Sequence, residues 1–158
     1  PFRCFINPDA PEFTPAGDIP GRIKAYCEKT KQYVPQNDGE IMRCIYESLA
    51  LKYRQSIEEL EACTKKSFAT LYMVGGGTKD RFLSQLTACA INRRVCAGPI
   101  EATSFGNIAV QLMSVGAVES IEKAREIIAR SEELYEFAPC DTELWDKAYS
   151  DYIKVTKQ

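Results

Sequence analysis

The stretch from Ala69 to Gly98 constrains this chain more than any other. A short apolar run, "ATLYMV", passes through Gly75-Gly76-Gly77 into "TKDRFLSQLTACAI", whose apolar residues recur at helical spacing. The run is expected to be a buried strand over residues 69–74. The following helix, about Asp80 to Ile91, places Phe82, Leu83, Leu86 and Ala90 on one face. "RRVCAG" then reads as a second short strand, ended by Gly98-Pro99. A strand running through glycines into an amphipathic helix and back to a strand makes the chain α/β.

The remainder is helix-rich. "INPDAPEFTPAGD" is punctuated by prolines and expected to be irregular, with a short helix over Ile23 to Lys31. Asn37 and Glu40 have the spacing of a capping box. The helix that follows, about Glu40 to Ala62, carries an apolar stripe of Ile41, Ile45, Leu49, Tyr53, Ile57 and Leu60. Its charges, such as Arg54 with Glu58, are expected to solvate other faces. Glu101 to Val115 reads as a helix in which Gly106, costing about 1 kcal/mol relative to alanine, points to close backbone packing or a ligand edge. Ile121, Ala124, Ile128 and Tyr135 mark a further helix. The last, after Asp141, carries Trp145, Tyr149 and Tyr152, with Lys154 and Lys157 suited to its C-terminal dipole. Two strands are too few for a stable sheet. The first methionine, Met42, lies inside an expected helix. Both features lead to the expectation of a piece of a longer or processed protein, with missing strands upstream or in another chain.

Charge removes several function classes. Twenty basic residues against 22 acidic ones leave a net charge of -2, with no electrostatic footprint for nucleic acid or an anionic membrane. No apolar run is long enough to cross a bilayer. The seven cysteines form no C-x-x-C pair and the chain has no histidine, which argues against a zinc site and leaves no imidazole to activate a thiol. Most of the cysteines are expected to be reduced, buried small apolar side chains in a cytoplasmic protein. No metal site is expected.

The glycines fit neither standard phosphate motif. A Walker A loop needs G-x-x-x-x-G-K-[ST], and Lys79 is followed by Asp80. A dinucleotide fingerprint needs a third glycine where Asp80 stands. A strand–glycine–helix turn remains, either a ligand seat or a simple reversal. With Thr78 as the expected helix cap, Asp80 falls in the first turn, where free N–H groups stabilise a carboxylate. A triphosphate on that N-terminus would meet a like charge. A nucleotide there is expected to place its ribose or base, rather than its phosphates, near Asp80.

"VGGGTKDRFLSQLTACA" followed by "RRVCAGPIEATSFGNIAVQ" resembles the C-terminal lobe of the FGGY carbohydrate kinases, as do "RCFINPDAPEF" and "IMRCIYESLALKYR" in the same order. The resemblance runs to about Gly116 and weakens beyond it. It implies the actin-like ATPase fold, two ribonuclease-H-like lobes around a cleft, with sugar bound mainly by the first lobe and ATP largely by the second. Residues 1–158 would be the C-terminal part of the nucleotide-binding lobe, without the sugar-binding lobe and with an incomplete sheet. The activity implied is phosphoryl transfer from ATP, with Mg2+, to a ketose. Gly75, Gly76 and Gly77 would line the adenosine and first phosphate. Asp80 stands where the family often has an asparagine facing the adenine; an ionised aspartate accepts but cannot donate. The family's catalytic base and phosphate turns lie upstream, so no catalytic residue is assigned in this chain, and alone it is expected to be inactive. Two alternatives stand beside this reading: another FGGY kinase acting on a different ketose or polyol, and a non-catalytic helical interaction module whose glycine turn binds nothing.

Overall fold

A computed structural model describes residues 1–156. Six α-helices and three short strands follow one another as α1 (Ile19–Lys29), α2 (Asp38–Thr64), β1 (Thr70–Met73), α3 (Arg81–Ile91), β2 (Arg94–Ala97), α4 (Ala102–Ser114), α5 (Ile121–Ser131), β3 (Tyr135–Phe137) and α6 (Thr142–Thr156). A single 3-10 turn, Pro11–Phe13, interrupts the irregular first loop. Lys157 lies outside the described residues. No described helix is long and apolar enough to cross a membrane.

The sheet has three strands in the order β1-β2-β3. β1 and β2 run parallel, Thr70 opposite Arg94 and Met73 opposite Ala97. β3 is antiparallel to β2, Phe137 opposite Val95 and Tyr135 opposite Ala97. Tyr135 therefore belongs to a strand and not to the helix expected there. The helix ends at Ser131, and the extended backbone of Glu132 turns the chain toward the free side of β2. With this third strand, part of the pairing expected from elsewhere is supplied by the chain itself. One sheet face is covered: Leu71, Met73, Val95 and Phe137 pack against Ile57 of α2 and Ala88 and Ile91 of α3. On the other face Tyr72 is 71% exposed, and Arg94 and Glu136 form only a long 3.7 Å pair.

α2 organises the rest. Asn37 Oδ1 accepts the Glu40 N–H at 3.0 Å, one half of the expected capping box. The Glu40 carboxylate accepts from the Gln36 N–H instead of returning to Asn37. The buried line of α2 is Ile41, Cys44, Glu47, Ser48 and Leu51. It is rotated from the expected stripe, whose Tyr53 and Leu60 are exposed. The cause is the N-terminal segment, which lies along the polar side of α2 and uses its side chains as partners. The Phe2 N–H donates to Glu47 and the Ile6 N–H to Ser48 Oγ. Between them the Gln32 amide accepts from the Phe5 N–H at 2.8 Å and donates to the Phe5 carbonyl at 2.7 Å.

The main core joins Phe5, Leu51, Leu86, Ala90, Trp145 and Tyr152, from the N-terminal segment, α2, α3 and α6. Arg54 does more than solvate: its guanidinium donates to Glu58, to Asp146 of α6 and to the Ala90 carbonyl of α3. A separate small core of Ala109, Val118 and Ala124, flanked by Met113 and Ile128, holds α4 and α5 together. Gly106 is exposed on α4, and a Cβ there would meet nothing within 4 Å. It packs closely against nothing in this structure.

Candidate functional site

β1 and β2 are parallel, so their carboxyl ends lie side by side, the edge at which open α/β sheets bind ligands. The glycine turn sits at that edge. Gly75 N–H donates to the Pro99 carbonyl at 3.1 Å and Gly98 N–H to the Met73 carbonyl at 2.9 Å, which ties the turn to the exit of β2. Gly75 has φ +89 and ψ -173, a region reserved in practice for glycine. A Cβ added at Gly75, Gly76 or Gly77 would meet nothing within 4 Å. The backbone here is bare toward solvent.

The start of α3 differs from the expected one. Gly76–Lys79 close a 3-10 turn, and Asp80 is the N-cap, its Oδ1 accepting the Leu83 N–H at 2.9 Å. Thr78 is buried and donates back to the Gly75 carbonyl at 2.7 Å. The tight turn uses two residues that a direct strand-to-helix passage would have given to the helix, so the cap moves from Thr78 to Asp80. The second oxygen of Asp80 accepts the Tyr46 hydroxyl of α2. The hydrogen bond from Tyr46, followed by that from Leu83 N–H, holds this carboxyl below its ordinary value. Tyr46 also packs edge-on to Phe82, with ring centroids 5.3 Å apart. Sequence reasoning missed Tyr46, because its partner lies 34 residues away.

Beside the turn opens a cleft of about 360 Å³, bordered by Thr78, Lys79, Arg81, Gly98, Glu133 and Tyr135 among others. Its charges oppose one another, Lys79 and Arg81 on one side and Glu132 and Glu133 on the other. The Arg81 guanidinium lies 3.8 Å from the centre of the Tyr135 ring. Gly98, at φ +117, is needed here: a Cβ would stand 3.1 Å from Leu134 and 3.2 Å from the Glu133 carbonyl. A larger concavity, about 540 Å³, is lined by Pro1, Arg3, Tyr33, Glu40 and Arg43 among others and shares no residue with the glycine turn.

Residues 1–115 match a family described as "FGGY family of carbohydrate kinases, C-terminal domain". The chain belongs to the FGGY family of carbohydrate kinases. It is 45% identical over 149 residues to a rhamnulokinase of Bacteroides thetaiotaomicron, covering 94% of this chain and 31% of that protein. It is 38% identical over 157 residues to a rhamnulokinase of Enterococcus faecalis, covering 97% and 32%. The chain thus spans about a third of the length of these relatives. A xylulose kinase structure from Rhodospirillum rubrum superposes with a TM-score of 0.58 at 19% identity, over 78% of this chain and 25% of that one. The fold is the helix-rich α/β fold of this family's C-terminal lobe. Gly75, Gly76 and Gly77 lie in one turn at the carboxyl end of β1, and Asp80 follows as the cap of α3.

Proposed function

We propose that this chain is the C-terminal part of the nucleotide-binding lobe of an ATP-dependent kinase acting on the 1-hydroxyl of L-rhamnulose in rhamnose breakdown, and that it supplies the adenosine seat. The glycine turn carries this reading: bare backbone at the carboxyl end of a parallel strand pair, next to a cleft. Open space at Gly76 and Gly77 lets a nucleoside approach the main chain closely, and the residues present fit such a ligand. Asp80 is fixed by Tyr46 and Leu83 N–H, and its remaining lone pairs can accept from a ribose hydroxyl or an amino group. The rhamnulokinase relatives support the choice of sugar. Their greater length supports a separate first lobe that binds the ketose and provides the catalytic base and phosphate turns. Bound ATP with Mg2+ would supply the phosphoryl group, with lobe closure excluding water. No side chain of this chain is assigned to the chemistry, and the chain alone is inactive. The whole enzyme is cytoplasmic.

The test is calorimetric titration of the intact protein with ADP, beside a Gly76→Asp variant. Loss of ADP binding in the variant is expected; equal affinity in the two would remove the adenosine seat. A coupled assay against a panel of ketoses and polyols tests the sugar. Absence of turnover with L-rhamnulose, with turnover of another sugar, would reassign the substrate within the family.

A further inference from the structure

Three cysteines that no mechanism above uses are gathered in one place. The Sγ atoms of Cys4, Cys27 and Cys44 lie within 4.8 Å of one another. They come from the N-terminal segment, the end of α1 and the second turn of α2, and are 3%, 0% and 2% exposed. Cys4 is firmly placed, because its neighbours Phe2, Phe5 and Ile6 are each hydrogen-bonded to a side chain of α2 or of the loop before it. Ser48 Oγ, which receives the Ile6 N–H, also donates to the Cys44 carbonyl at 2.6 Å. Buried cysteines commonly act as small apolar side chains. That role asks only for volume, and does not ask three sulfurs from three elements to converge.

Coordination number and charge select the ligand. Sulfurs about 2.3 Å from one centre lie about 3.5 Å apart around a pyramidal trivalent ion, so sulfurs that lie within 4.8 Å of one another draw together by up to about 1.3 Å. Structural zinc takes four ligands, and this cluster offers three in a chain without histidine. Three thiolates on a divalent ion carry one negative charge, and on a monovalent ion two. The nearby guanidinium groups are already engaged, Arg3 with Glu40 and Arg43 with Glu47. An unpaired buried charge is costly. A trivalent centre gives a neutral complex. For arsenous acid, As(OH)3 + 3 RSH → As(SR)3 + 3 H2O: three As–O bonds break, three As–S bonds form, and the thiol protons leave as water without any change of oxidation state. The large concavity lined by Cys4 and Cys44 gives a route from solvent.

We propose that Cys4, Cys27 and Cys44 form a tris-thiol site for a trivalent thiophilic metalloid. The test titrates the intact protein, reduced with a phosphine, with sodium arsenite. Native mass spectrometry is expected to show one arsenic bound with loss of three hydrogens, together with a raised melting temperature. Cys27→Ala and Cys44→Ala should each weaken binding at least tenfold. Cys140→Ser should leave it unchanged, which separates the site from the Cys89–Cys140 pair at 2.7 Å. X-ray absorption of the wild-type complex gives a readout independent of how the variants fold, with three sulfur neighbours per arsenic expected. The proposal is overturned by absence of an adduct, by two sulfur neighbours, by full affinity in Cys27→Ala, or by a Cys27–Cys44 disulfide that the phosphine does not open. Binding of cadmium as tight as that of arsenite would overturn the charge argument.

Discussion

Replacing Gly76 by alanine separates a ligand seat from a mere turn. Gly76 lies outside the left-handed region, and its added Cβ would meet no protein atom within 4 Å. The folded chain therefore accepts the methyl group without strain. Where the native backbone suits alanine, removing glycine restricts the unfolded chain and stabilises by about 0.4–1 kcal/mol. A nucleoside resting on the turn would meet that same methyl group. The expected cost in ADP affinity is at least tenfold, about 1.4 kcal/mol. Stability and binding are thus expected to move in opposite directions. Urea unfolding of the intact protein gives the first and ADP calorimetry the second. Gly75→Ala provides the contrast: at φ +89 and ψ -173 it should destabilise by about 1–3 kcal/mol. Gly76→Ala with unchanged ADP affinity would mean that the turn only reverses the chain. A stability loss beyond about 1 kcal/mol would mean that the space at Gly76 is not open, and would refute the steric argument itself.

Asp80→Ala removes the cap of α3 and should cost about 1 kcal/mol in urea unfolding. The folded Asp80 carboxyl lies below its ordinary value of 3.8. Its charge therefore contributes fully above the ordinary range, and this contribution fades as pH falls through the folded value. Asp80→Asn should flatten that part of the acid unfolding curve, and an unchanged curve would discount the Tyr46 contact. The Tyr152 hydroxyl is buried with no hydrogen-bond partner among the described residues. Tyr152→Phe should therefore raise stability by about 1 kcal/mol; a loss of that size would reveal a partner. The 158-residue chain, with the exposed Tyr72 beside the outer edge of β1, should self-associate in sedimentation as concentration rises. A monomer at all concentrations would discount the open edge.

Periodic and covalent constraints were the legible ones. The glycine turn, the helix after it with Leu86 and Ala90 inward, the Asn37 cap and the aromatic line of α6 all follow from local spacing. The unread features depend on distant partners. β3 is three residues long, too short to show alternation, and exists because β2 has a free side to pair with. The buried face of α2 could not be placed without knowing that the N-terminal segment would satisfy Glu47 and Ser48. The cap of α3 moved because the turn's tightness is a backbone property that "GGGTKD" does not display. The cysteine cluster carries no short spacing at all, since its members are 23 and 17 residues apart.

The small core shared by α4 and α5 bears on how the molecule moves. Its centre is Ala109, Val118 and Ala124, while Ile108, Val110 and Val115 remain more than half exposed. So little buried apolar surface gives this hairpin a low free energy of local opening compared with the core around Leu51 and Tyr152. Its amide protons should exchange through a sub-global event, well before those of α2 and α3. The hairpin is thereby expected to loosen as an outlying unit while the glycine turn, anchored through Tyr46 and Pro99, keeps its shape.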